Sequence, residues 1–168
     1  MPRSPRTPAN SAVLTLFAPD EDATDAIGTA LAGLLEPGDT VLLEGDLGAG
    51  KTALARAIIR ARLGDLEMTV PSPTFALVQP YPGIVHADLY RLSHPDELEE
   101  LGVFEDDRTI KLIEWPERAP DLETLPGIMV QLAPGESGLG RVLTVTPLGG
   151  RALTTWGTGL AQWIRDET

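Results

Sequence analysis

The sequence predicts one α/β domain with a largely parallel central sheet and antiparallel edge strands, and three observations predict it. Apolar runs rich in Val, Ile and Leu alternate with helix-forming stretches along most of the chain, the pattern of strands and helices packed in layers. The stretch GDLGAGKT, Gly45 to Thr52, joins one such run directly to one such helix, the order of a parallel strand, a glycine-rich turn and the helix it opens. Near the C-terminus, IMVQLAP and RVLTVTPL are linked by the short loop PGESGLG and read as a hairpin.

Taken in order, AVLTLFA from Ala12 alternates loosely, carries β-branched residues and reads as a first strand. Asp20, Glu21, Asp22 and Asp25 crowd the start of a helical pattern marked by Ile27, Leu31, Leu34 and Leu35, where carboxylates complement the helix dipole. TVLLEG follows the turn residues Pro37, Gly38 and Asp39 as an unbroken apolar strand of the kind buried on both faces. ALARAIIRARLG is rich in helix formers, ends in arginines and stops at Gly64 as its C-cap. MTVPSPTFALVQPY, with three prolines, predicts a loop and then a strand, and GIVHADLYRL predicts another strand. SHPDELEELG predicts a short helix capped by Ser93 and closed by Gly102, its acids Asp96, Glu97, Glu99 and Glu100 forming a solvated face. TIKLIEWPE predicts a strand from Thr109 that ends at a glutamate. After the hairpin, GRALTTWGTGLAQWIRDE predicts a closing helix interrupted by Gly157 and Gly159, with Leu153, Trp156, Leu160, Trp163 and Ile164 as packing residues. Residues 1–10 are expected to be a disordered tail and residues 11–168 one domain.

The glycine-rich turn carries chemistry. Gly45, Gly50, Lys51 and Thr52 fit the P-loop, or Walker A, spacing G-x-x-x-x-G-K-[ST], which predicts a P-loop NTPase fold. Its glycines let successive backbone N–H groups point into one concavity at the positive end of the next helix, and that concavity suits a polyphosphate. Gly45, Asp46, Leu47, Gly48, Ala49, Gly50, Lys51 and Thr52 are therefore the candidate phosphate site, with Lys51 directed at the β and γ phosphates and the Thr52 hydroxyl at Mg²⁺. Such a loop needs acids at the ends of neighbouring strands. IVHAD offers Asp88 and KLIE offers Glu114; both have the form of a Walker B element, and the residues alone do not decide which is the main metal-side acid. The guanine-reading Asn-Lys-x-Asp element is missing, the only asparagine being Asn10, so ATP is the expected nucleotide.

Composition narrows the class. At 168 residues the chain suits one domain, and 42% hydrophobic content makes it globular. A net charge of −12 argues against direct, strong binding of naked nucleic acid, which calls for a basic face. The chain has no cysteine, so a disulfide framework is excluded, and the two histidines, His86 and His94, leave little for structural zinc. No apolar stretch is long enough to span a bilayer and MPRSPRTPANSA lacks the apolar segment of a signal peptide, so a cytoplasmic enzyme without membrane contact is expected.

GDLGAGKT, SPTF from Ser72 to Phe75, HADLYRL from His86 to Leu92 and EWPE from Glu114 to Glu117, in that order, resemble the bacterial TsaE family, over about residues 30 to 120. Many proteins carry the first motif, whereas few continue with SPTF and DLYRL. The resemblance implies an ATPase required for forming N6-threonylcarbamoyladenosine on tRNA, acting with the TsaD and TsaB proteins rather than performing the transfer, and meeting tRNA only through that complex. It implies ATP and Mg²⁺ as cofactors, the loop backbone on the phosphates, Thr52, Asp88 and Glu114 at the metal, and Asp88 and Glu114 in hydrolysis. It also implies that Thr74 senses the γ-phosphate or its metal and that Trp115 lies beside the nucleotide. Ala53 departs from the second hydroxyl residue many members carry there. The alternative is a small-molecule kinase, which usually needs an arginine-bearing lid, whereas Arg91, Arg108 and Arg118 are scattered. No segment is clearly an arginine finger, so slow hydrolysis awaiting a partner is expected.

Overall fold

The apolar run TVLLE forms strand β2 (Thr40–Glu44) at the middle of the sheet, buried on both faces as its composition requires. The computed structural model describes residues 13–73 and 76–165. Around β2 stand β1 (Leu14–Ala18), β3 (Val78–Tyr81), β4 (Ile84–Asp88), β5 (Ile110–Glu114), β6 (Gly127–Pro134) and β7 (Arg141–Leu148), in the order β1-β7-β6-β2-β5-β4-β3. β4, β5, β2 and β6 run parallel, while β7, β1 and β3 are added antiparallel at the two sides, which is the sheet the sequence predicts.

Alternation along β2 sends Val41 and Leu43 to one face and Leu42 to the other. The first face is covered by α1 (Glu21–Leu34) and α2 (Lys51–Leu63), which bury Ile27, Leu31, Leu54, Ile58 and Ile59. Asp20 caps α1 by accepting from the Ala23 N–H at 2.8 Å, and Gly64 closes α2 in the left-handed conformation, φ 69°. The second face is covered, among the described residues, by the short helix α3 (Glu97–Glu100), by 3-10 turns over Pro116–Arg118 and Pro120–Thr124, and by the segments flanking them, through Leu89, Leu92, Leu98, Val103 and Leu122.

Two predicted helices are shorter than expected. α3 begins at Glu97, not after Ser93: the Glu97 carboxylate accepts from the Ser93 and His94 N–H groups at 2.9 Å each, so the acid caps the turn and Ser93 does not. The closing helix is only Trp156–Gly159 (α4) followed by a 3-10 turn, Ala161–Trp163. Its glycines remove helix propensity, and Leu153, Trp156 and Leu160 reach the core without a longer helix. Residues 1–10, expected to be a tail, and Thr74 lie outside the described residues. Among the described residues no helix is long and apolar enough to cross a membrane.

Candidate functional site

The loop between β2 and α2 turns twice through left-handed backbone, at Gly48 (φ 79°) and Gly50 (φ 109°), which turns the peptide groups of a short segment into one concavity at the N-terminus of α2. Asp46, Leu47 and Gly48 are exposed, Gly45, Ala49, Gly50 and Thr52 half-buried, and Lys51 buried. The Lys51 ammonium folds back on its own loop, donating to the Gly45 carbonyl and to the Asp46 carbonyl at 2.9 Å. It lies 4.1 Å above the Trp115 ring. Burial pushes the Lys51 ammonium below the usual lysine range, opposed by the negative charges of Glu114, Asp88, Glu117 and Asp46.

Asp88 and Glu114 end adjacent parallel strands and are paired in register. Both are buried, Glu114 to 2% exposure. The Thr52 hydroxyl donates to both Glu114 oxygens, at 2.9 and 3.1 Å, so the P-loop threonine and the acid of β5 form one unit. Asp88 accepts from the Tyr90 N–H at 3.0 Å. Trp115 follows Glu114 with φ 60°, an uncommon conformation for a bulky residue, and that turn sets its ring against Lys51 and 5.0 Å from the Tyr90 ring. Asp88, Glu114, Lys51, Thr52 and Trp115 thus converge at the carboxyl end of the parallel strands, where open α/β sheets hold ligands.

Two further side chains stand at this candidate site without having been expected there from the sequence. His86 is fully buried one strand from Glu114 and its Nε2 lies 2.6 Å from Glu114 Oε2, so the glutamate is held from two sides. Its position two residues before Asp88 on an apolar strand was the available signal. Arg141, the first residue of β7, is the second: a Cβ at Gly50 would stand 2.9 Å from its guanidinium carbon. Thr24 accepts from Arg141 at 3.1 Å and Glu21 pairs with it at 3.9 Å, which keeps the guanidinium beside the loop. Between the end of β1, the P-loop and the β6–β7 loop lies a cavity of about 490 Å³, lined by Asp20, Leu47, Gly48, Pro134 and Arg141 among others.

The model of the family described as "Threonylcarbamoyl adenosine biosynthesis protein TsaE" matches residues 18–139, which run from the last residue of β1 past the end of β6 and leave β7, with Arg141, and α4 outside. This chain belongs to the TsaE family. Curated relatives named "tRNA threonylcarbamoyladenosine biosynthesis protein TsaE" include one from Rickettsia conorii, 46% identical over 67% of this chain and 66% of its own length. Another, from Haemophilus influenzae, is 39% identical over 71% of this chain and 81% of its own length. The crystal structure of Bacillus subtilus YdiB is similar with a TM-score of 0.69 at 25% identity, covering 90% of this chain and 97% of that one. Membership places the chain among proteins of tRNA threonylcarbamoyladenosine biosynthesis. The segment shared with the Rickettsia conorii protein is just under two thirds of that protein's length.

Proposed function

We propose that this TsaE-family chain binds and hydrolyses ATP for the machinery that forms N6-threonylcarbamoyladenosine on tRNA, acting with TsaB and TsaD while another subunit performs the transfer. The observation that carries the reading is the hydrogen-bonded unit of Thr52 and Glu114 directly beneath a P-loop that bends through two left-handed glycines. A phosphate fits this cradle by its chemistry: oriented backbone N–H groups, a helix N-terminus, and the cations Lys51 and Arg141 on either side. Among the described residues no group of three or more His, Cys, Asp and Glu is spaced to enclose a metal, so an ion held by Thr52, Asp88 and Glu114 would complete its shell with water and phosphate, as Mg²⁺ does. When bound, Mg²⁺ neutralises phosphate charge.

Each residue then has a definite task. Lys51 leaves the Gly45 and Asp46 carbonyls to meet the phosphates. Glu114, anchored by His86, aims the Thr52 hydroxyl and supplies negative charge on the metal side, with Asp88 beside it. Thr74 is the residue the family resemblance assigns to sensing the γ-phosphate. Arg141 already neutralises the flank of the loop and is engaged with Thr24 and Glu21, so stabilisation of the transferring phosphoryl group is assigned to a partner, whose arginine is worth ~10³ to 10⁵ in rate in other P-loop enzymes. The test is phosphate release with and without TsaB–TsaD, beside a search for a phosphorylated metabolite. Slow release alone and faster release with the partners is expected. Unchanged turnover together with a phosphorylated product overturns the reading in favour of a small-molecule kinase.

A further inference from the structure

The second lysine of the chain, Lys111, stands at the opposite end of the sheet from the P-loop. It is the second residue of β5, beside Thr40 of β2, its partner in register, and a rise of three strand steps, about 10 Å, separates it from Glu114. Lys111 is 6% exposed. Among the described residues its ammonium donates one hydrogen bond, to the Thr109 carbonyl at 3.2 Å, and has no ion pair within 4 Å. The neighbouring Thr40 hydroxyl is also buried, without a hydrogen-bond partner among the described residues. A buried ammonium without a counter-ion is costly to keep, and burial does push Lys111 below the usual lysine range, opposed by Asp107 and Asp106.

Lys111 lines a cavity of about 710 Å³, the size of a small-molecule site, bounded by the second face of the sheet and the segments carrying α3 and the 3-10 turns. Leu98, Phe104, Leu122 and Leu125 give it an apolar body. Its rim carries Asp96, Glu99, Asp107 and Asp121, all exposed. Those charges select the ligand. Four carboxylates repel a phosphate or a dicarboxylate, and the lone ammonium inside repels a simple cation. What satisfies both is a molecule of zero net charge with a carboxylate for Lys111, an ammonium for the acids and an apolar part for the leucines.

We propose that this cavity is a binding site for a small apolar zwitterion, of which a free apolar amino acid is the simplest, with its carboxylate on Lys111, its ammonium toward Asp107 and its side chain against Phe104 and Leu122. The site is separate from the P-loop and does not depend on nucleotide. Calorimetric titration of the nucleotide-free full chain with L-leucine and with L-phenylalanine tests it, with leucinamide and N-acetyl-leucine as probes lacking one charge each. At least one amino acid should bind with a dissociation constant of about 1 mM or tighter, and each single-charge probe at least tenfold more weakly. Lys111→Met should lose at least tenfold for the amino acid while its nucleotide affinity stays at the wild-type value, which also shows that it folds; Lys111→Gln is the second variant should Lys111→Met fail to fold. Absence of saturable binding up to about 10 mM, or binding indifferent to both substitutions, overturns the proposal.

Discussion

Glu114→Gln separates the chemical task of the glutamate from its structural one. The side chain accepts from Thr52 at 2.9 and 3.1 Å and lies 2.6 Å from His86 Nε2. A carboxamide of the same shape keeps one oxygen for His86 and can turn its NH₂ to the threonine oxygen, so the network stays satisfied. What is lost is the charge assistance of two hydrogen bonds, worth about 1.5–3 kcal/mol each against about 0.5–1.5 for neutral ones. Removing a buried carboxylate also relieves its desolvation, so about 2 kcal/mol is the ceiling on the loss of stability. For a domain of this size that is at most about 8 °C in Tm.

The chemical loss is larger. With the metal-side charge gone, hydrolysis should fall by about 100-fold or more, the order found when one group that helps stabilise the transition state electrostatically is removed. ATP affinity in EDTA should change by less than about threefold, because the phosphate cradle and Lys51 are untouched. The assay is thermal unfolding, calorimetric ATP titration with and without Mg²⁺, and phosphate release in the TsaB–TsaD complex. A Glu114→Gln protein that hydrolyses ATP at the wild-type rate in that complex refutes the role given to the residue. A Tm lowered far beyond about 8 °C refutes the network accounting instead.

Three further outcomes follow from the same geometry. Lys51→Ala removes phosphate-directed charge but also frees the lysine's present bonds to two carbonyls and Trp115, so the net loss of ATP affinity or turnover should be tenfold or more, about 1.4 kcal/mol, and wild-type values for both by titration and phosphate release would contradict the P-loop assignment. Gly50→Ala puts a Cβ 2.9 Å from the Arg141 guanidinium at φ 109°, so Arg141 must withdraw from the loop; ATP affinity should fall tenfold or more, and an unchanged dissociation constant would detach Arg141 from the site. Because burial lowers the pKa of Lys111 from 10.5, the unfolded chain binds more protons between the two values, and stability rises with pH there; denaturant unfolding of wild type against Lys111→Met should show wild type gaining on the variant as pH climbs toward 10.5, and a constant difference would disprove it.

Local rules made the β2-loop-α2 unit legible, because strand, glycine turn and helix are consecutive and each is set by its own residues. Asp88 and Glu114 were legible for the same reason: each ends an apolar run, and parallel strands bring such ends together. Arg141 was not. It reaches Gly50 only because β6 inserts next to β2 and carries β7 with it, a matter of strand order that the residues around position 141 do not encode. Lys111 was equally hidden, since in IKLIE it reads as the polar residue of an alternating strand, and the cavity it faces is built by irregular segments with weak periodicity. The closing helix was overestimated because helical spacing of Trp156, Leu160 and Trp163 is satisfied just as well by one turn of α-helix followed by a 3-10 turn.

Both lysines are buried, whereas apart from Asp39, Asp88 and Glu114 the acids of the described residues lie at least partly in solvent. A chain of net charge −12 presents a field that opposes polyanions at long range, so neither ATP nor tRNA is drawn to it by its surface. Affinity for a phosphate must then be local, from backbone dipoles and from cations held where solvent does not screen them, which is the environment of Lys51 and, in part, of Arg141. Such a site can hold a metal-bound nucleotide and at the same time exclude nucleic acid from the rest of the surface. On the proposed function, contact with tRNA falls to other members of the complex, and an acidic exterior suits a protein partner with a basic face.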